Sequence, residues 1–162
     1  MRHFPLRRWV PTLLLLLPFY AVAQKSDTAR VEVTKVKKFK PPVVKVVWGK
    51  RSNGDTVTVP EANELIGLPL KVTDDKNGVY TVSSYHLLYK RKGSILNQET
   101  GRERVIFTTV SDIFKETPLP EGWIKGLKGY FQSDEELLFF DIVVKDQNNR
   151  IFFAPNLKLY IE

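Results

Sequence analysis

Leu137-Leu138-Phe139-Phe140-Asp141-Ile142-Val143-Val144-Lys145, then Asp146-Gln147-Asn148-Asn149, then Arg150 through Ile161, is the stretch that decides the fold. Branched and aromatic side chains dominate the first segment, as a pleated and half-buried strand requires. Four polar residues with turn chemistry follow. In the last segment Leu157, Leu159 and Ile161 alternate with Lys158, Tyr160 and Glu162, the period of a strand with one buried face. Leu137 to Ile161 therefore reads as a β-hairpin.

The same grammar runs upstream. Val43 to Trp48 is β-branched and aromatic, Ser52-Asn53-Gly54-Asp55 is a turn, and Thr56 to Val59 is a second short strand. Pro60 to Ile66 has proline near its start and Gly67 as its stop, so it predicts one or two helical turns. Leu68 to Thr73 is a strand, and Asp74-Asp75-Lys76-Asn77-Gly78 is a turn. Val79 to Lys92 is the longest strand candidate. Tyr80, Val82, Ser84, His86 and Leu88 share one face and Val79, Thr81, Ser83, Tyr85, Leu87 and Tyr89 the other. Both faces are mixed, which fits either a β-bulge or a strand covered on both sides.

Gly93 to Arg102 reads as a hairpin loop, Arg104 to Thr109 as a returning strand, and Val110 to Phe114 as a short helical segment. Thr117 to Gly122 is an irregular crossing, and Trp123 to Leu127 a second short helix or turn. The fold class predicted is mainly β: an antiparallel β-sandwich of about seven strands with one or two short helical insertions. No period of repeat length recurs.

Composition sets the outer limits. The chain has 162 residues, 43% hydrophobic and 27% charged, which are globular values. It has no cysteine, so a disulfide framework, a Cys-ligated metal, a thiol nucleophile and a lipid-attachment cysteine are all excluded. Ten Phe, six Tyr and three Trp supply the core instead. Residues 1–23 read as a cleavable signal peptide: Arg2, Arg7 and Arg8 lead, Val10 to Tyr20 is apolar, and Ala21-Val22-Ala23 is the cleavage site. The apolar run is about half of the ~20 residues that a membrane-spanning helix needs. Cleavage before Gln24 leaves 22 basic and 18 acidic residues, a modest excess for a secreted or periplasmic chain, and nucleic acid is not an expected partner. Residues 24–40 form a basic polar lead-in, in which Val31 and Val33 alternate with polar residues and Lys35, Lys37, Lys38 and Lys40 cluster. Pro41-Pro42 marks the expected start of the domain, which runs over 41–162.

The inventory for chemistry is thin. His86 is the only histidine of the processed chain, and Ser84 shares its strand face. A nucleophilic arrangement of Ser83 or Ser84, His86 and an aspartate lacks a nucleophile elbow. Asp141 interrupts an apolar strand, where alternation would turn it outward or a backbone amide would satisfy it. A small hydrolase built on His86 or Asp141 is the enzymatic alternative. Asp74-Asp75 and Asp134-Glu135-Glu136 lack calcium-loop spacing and read as a solvated turn and a strand cap. No glycine pattern for nucleotide binding occurs, so no cofactor is expected. Two groups remain for binding. The basic strand end Lys90-Arg91-Lys92, like the lead-in, suits an acidic partner or an anionic envelope surface. Tyr130 and Phe131, in the irregular segment Gly129 to Glu136, are either core plugs or a partner-binding aromatic patch.

From Pro41 to Ile161 the chain resembles the C-terminal domain of GldM, the gliding-motility and type IX secretion protein of Bacteroidota whose counterpart is PorM. "PPVVKVVWGKRSNGDTVTVPEANELIG" is similar to the family's opening strand, turn and helical step. "GVYTVSSYHLLYKRKG" resembles its central strand, and "WIKGLKGYF" with "LLFFDIVVKDQNNR" its closing turn, Phe-Asp strand and polar hairpin. Two departures stand out: the segment Gly129 to Glu136 is enlarged, and Trp48 replaces a smaller residue. The family's membrane helix and preceding periplasmic domains have no counterpart here, so its energy coupling is not implied. The resemblance implies a non-catalytic periplasmic docking module for outer-membrane-associated secretion-ring components.

Overall fold

The computed structural model describes residues 38–162, so the expected signal peptide and residues 24–37 of the lead-in lie outside the described residues. Phe39 to Glu162 forms one compact unit. Its strands are β1 (Val44–Trp48), β2 (Thr56–Val57), β3 (Leu70–Asp74), β4 (Val79–Leu96), β5 (Glu103–Phe114), β6 (Glu135–Lys145), β7 (Ile151–Ala154) and β8 (Leu157–Ile161). Two helices interrupt them, α1 (Val59–Leu65) and α2 (Glu121–Leu127). The protein is mainly β, a curled and mostly antiparallel sheet of eight strands. Among the described residues only β2 runs parallel to its neighbour, β8.

The two long strands explain the curl. The first part of β4 pairs with β3, and through Val82 and Val144 with the last part of β6, which also carries β7. The later part of β4, from Tyr85, pairs with β5 and with the first part of β6, which also carries β8. One lobe is thus β1-β3-β4-β6-β7 and the other β5-β4-β6-β8-β2. Strands bent at bulges can serve two sheets in this way.

The bend has a definite origin. From Val82 to Ser84 β4 takes two steps while β6 takes one, Val144 to Val143, so Ser83 is an extra residue. From Ser84 to His86 the surplus passes to β6, which takes three steps from Val143 to Phe140. Asp141, with φ 48°, lies in that interval. Burial changes phase at both places: Val82 and then Tyr85, Leu87 and Tyr89 on β4; Leu137 and Phe139 and then Ile142 and Val144 on β6. The mixed faces of the sequence thus record a bulge. On the other side of β6, Phe139 pairs with Leu157 and Ile142 with Ala154, so Pro155 and Asn156 fall opposite the bend. Proline, lacking an N–H, costs nothing where no ladder bond is made. The expected single strand from Arg150 to Ile161 is therefore two strands.

The lobes close face to face around Trp48. Its ring meets Phe139 edge-on at 4.9 Å, and its indole N–H donates to the Leu68 carbonyl at 2.8 Å. Gly49 follows with φ 60°, and a Cβ there would lie 2.5 Å from Leu65 Cδ2, so only glycine lets the chain turn this close to α1. Helix α1 begins at the Thr58 cap, buries Ala62 and Leu65, and is tied to the preceding turn by a two-pronged Arg51–Glu61 pair at 2.6 Å. Ahead of β1, Phe39 packs on Phe152 with ring centroids 6.1 Å apart, so packed structure begins just before Pro41.

Two expectations are corrected between Gly93 and Phe114. The supposed loop is strand through Leu96, with a turn only at 97–102, where the Asn97 side chain accepts the Glu99 and Thr100 N–H groups. The supposed helix Val110 to Phe114 is the end of β5, register-matched to Tyr89 through Tyr85. β-branched Thr108, Thr109, Val110 and Ile113 favour this extended form. The result is a long two-stranded ribbon.

Candidate functional site

The residues singled out for chemistry meet at the bend: Asp141 lies in the stretch of β6, Phe140 to Val143, that faces Ser84 to His86 of β4. His86 lies opposite Ile113 on one side and Phe140 on the other, its ring 4.8 Å from that of Phe140, so its cross-strand neighbours are apolar. Ser84 stands opposite Val143, and Asp141 is turned out to solvent by the bulge. Strict alternation would have put Asp141 on the buried side with Leu137 and Phe139, so the bulge and not alternation exposes it. Among the described residues no three His, Asp or Glu side chains are grouped to hold a metal ion. Asp74 is occupied by its own turn, accepting the Lys76 and Gly78 N–H groups and the Tyr80 hydroxyl. The Gly78 amide and then Tyr80 hold its carboxyl below the usual aspartate range.

The acidic run at 134–136 does cap a strand, in a specific way. Glu135 is buried and accepts the Tyr89 hydroxyl, the Lys92 N–H at 2.9 Å and the Gln132 N–H at 2.8 Å. Burial, reinforced by this carboxylate, pushes the Tyr89 hydroxyl well above the usual tyrosine range. Phe131 belongs to the same cluster: it is 5% exposed and meets Tyr89 edge-on at 5.5 Å. Of the aromatic pair, Phe131 is thus a core plug and is corrected as a partner-binding residue. Tyr130, 59% exposed, remains on the surface.

The basic strand end is also largely spent. Lys90 pairs with Glu136 at 2.8 Å and Lys92 with Asp134 at 2.7 Å, and Lys158 adds a second cation to Glu136 at 2.7 Å. Lys158 and then Lys90 hold the Glu136 carboxyl below its ordinary range. Of the three basic residues Arg91 is the most open, exposed where Lys90 and Lys92 are half-buried; with Val110, Trp123 and Gly126 it lines a groove of about 310 Å³.

A surface the sequence did not single out is more coherent. The register places Phe153 beside Val143, Ile151 beside Lys145 and Thr81, and Val79 beside Thr73 and Lys45 on the outward face of the β1-β3-β4-β6-β7 lobe. Phe153, Val79 and Ile151 are 70%, 69% and 61% exposed, and Val43, just ahead of β1, is 81% exposed. Lys45, Lys71 and Lys145 stand among them, and no acidic residue occupies an outward strand position between these rows. The available signal was Ile151-Phe152-Phe153-Ala154, a strand apolar on both faces. One face is needed for the core, and the other is surplus.

Among the described residues no helix is long and apolar enough to cross a membrane. No protein-family model matches the chain, and no curated protein matches it either.

Proposed function

We propose that this chain is a non-catalytic, secreted or periplasmic docking module, the role implied by its resemblance to the C-terminal domain of GldM. Its partner is a protein presenting an acidic segment with apolar residues. The observation that carries this reading is the outward face of the β1-β3-β4-β6-β7 lobe, where Phe153, Ile151 and Val79 are exposed among Lys45, Lys71 and Lys145. Such a face offers apolar area at its centre and cations that steer an acidic partner into place. Secretion-ring components of the outer membrane are the class of partner that the resemblance suggests.

Crosslinking capture from the native periplasm, run in parallel with wild type and Phe153→Glu, tests the reading. A single partner should be retained by wild type, lost by Phe153→Glu at an unchanged melting midpoint, and released by rising salt as exposed charges are screened. Capture that is indifferent to both Phe153→Glu and Lys45→Glu overturns the docking face. Loss of the biological role in a folded His86→Ala or Asp141→Asn variant would instead favour the hydrolase.

A further inference from the structure

The edges of this sheet are treated very differently. β7 has four residues and β2 has two, and β1 carries Lys45 behind Pro41-Pro42. Short length, lysine and proline are the usual means by which edge strands avoid stray pairing. β5 has none of them. It is twelve residues long, among the described residues pairs only with β4, and between Arg104 and Asp112 holds seven uncharged residues, Val105 to Ser111. Val105, Phe107, Val110 and Ile113 are 55%, 47%, 42% and 56% exposed on it.

The direction of its free backbone groups follows from two hydrogen bonds. Asn97 N–H donates to the Arg102 carbonyl at 2.9 Å, so ladder bonds to β4 fall on the even-numbered residues of β5. Lys92 N–H points to Glu135 on β6, which agrees, since it leaves the odd-numbered residues of β4 to serve β5. The odd-numbered residues of β5 therefore turn their N–H and C=O groups outward, away from β4; at the strand's end the Ile113 N–H donates to the Asp112 carboxylate at 2.7 Å.

We propose that β5 pairs antiparallel with β5 of a second copy of this chain, with the two-fold axis at Thr108. In an antiparallel pair, hydrogen-bonding groups meet only when both residues point across the junction, so the axis must pass through a residue and not between two. With the axis at Thr108, Arg104 opposes the second copy's Asp112 and Ile106 opposes its Val110, each twice by symmetry. These even-numbered positions are the non-hydrogen-bonded pairs, where side chains lie closest. Moving the axis to Phe107 or Thr109 sets Arg104 against Val110 or Phe114, and Asp112 against Arg102, just outside β5, or Ile106; only the Thr108 axis pairs opposite charges that both lie within β5. Within β5 the charge pattern is thus complementary to itself in one register. This pairing is independent of the docking face, which lies on the other lobe.

The chain has no cysteine, so a single introduced cysteine reports the register. The full chain carrying Thr108→Cys should form a disulfide dimer under mild oxidation at least about tenfold faster than Thr109→Cys, because its sulfurs are held at an effective concentration of about mM. In sedimentation velocity over a dilution series, wild type should dimerise. Arg104→Glu or Asp112→Arg should each weaken the dimer about tenfold, and the two together should restore it. Val110→Lys, which gives the edge the guard it lacks, should be monomeric with an unchanged melting midpoint. A wild type that stays monomeric at every concentration overturns the proposal. So does faster crosslinking at position 109, or a folded double charge swap that fails to restore association.

Discussion

Phe131 and Tyr130 are neighbours in sequence with opposite fates, and truncation should separate them. Phe131→Ala removes the plug against Tyr89 and should cost about 3–5 kcal/mol, read as a lowered denaturation midpoint. Tyr130→Ala should stay within about 0.5 kcal/mol of wild type. Glu135 is the other decisive residue of this cluster, because three donors converge on it in a buried place. Glu135→Ala leaves those donors without an acceptor and should destabilise by about 2–4 kcal/mol, more than Tyr89→Phe, which removes one donor only. Urea denaturation of the two variants side by side gives the order. Asp141 is governed by its backbone: at φ 48°, Asp141→Gly should be neutral or mildly stabilising and Asp141→Val should cost about 1–2 kcal/mol.

At the scale of elements, the ion pairs and turns give the fold an acid limit. The Asp74 carboxyl is held down by its turn amide at Gly78 and by Tyr80, and Glu136 by Lys158 and Lys90. A carboxyl whose folded value lies below its unfolded one stabilises fully above the unfolded value, and that contribution is lost as pH falls through the folded value. The ordinary values are 3.8 for Asp74 and 4.5 for Glu136, so melting midpoints should hold above those values and fall steadily below them. Glu136→Gln should flatten the Glu136 part of that slope, since it joins β4 to β8 through Lys90 and Lys158 without titrating. A slope unchanged in Glu136→Gln would show that the pairs do not couple to folding.

At the scale of the whole molecule, both lobes share β4 and β6, so neither can melt without removing strands from the other. Unfolding should therefore be a single transition, and Trp48→Ala, which empties the contact with Phe139 between them, should lower it by about 3–5 kcal/mol without splitting it. Hydrogen exchange should be slowest at Leu87, Tyr89, Leu137 and Phe139, where paired strands are also buried. It should be fastest at the ribbon's turn, residues 97–102, beyond the reach of β6 and of the second copy's β5. Two resolved calorimetric transitions would contradict the shared-strand account.

The mainly β class, the two short helices and the turns at 74–78 and 146–149 were legible in the sequence, because alternation, proline and Asn-Gly chemistry act over a few residues. The closing strand segment, whose start is marked by Leu137, was legible for the same reason. At 110–114, where a helix was expected, β-branched Val110 and Ile113 favoured strand only weakly on their own; pairing with Tyr85 to Tyr89 over the whole ribbon decided it. Nor could local pattern tell a bulge from a doubly covered strand at Ser83, since the answer depends on where β6 places its own extra residue. The candidate site divides along the same line. Lys90, Arg91, Lys92, Tyr130 and Phe131 were visible as residue types, but their availability was decided by Glu136, Asp134 and Tyr89, which lie more than forty residues away from their partners in sequence. The outward row of Phe153, Ile151 and Val79 exists only once five strands are set side by side, because a surface is a property of neighbours that the chain brings together by folding.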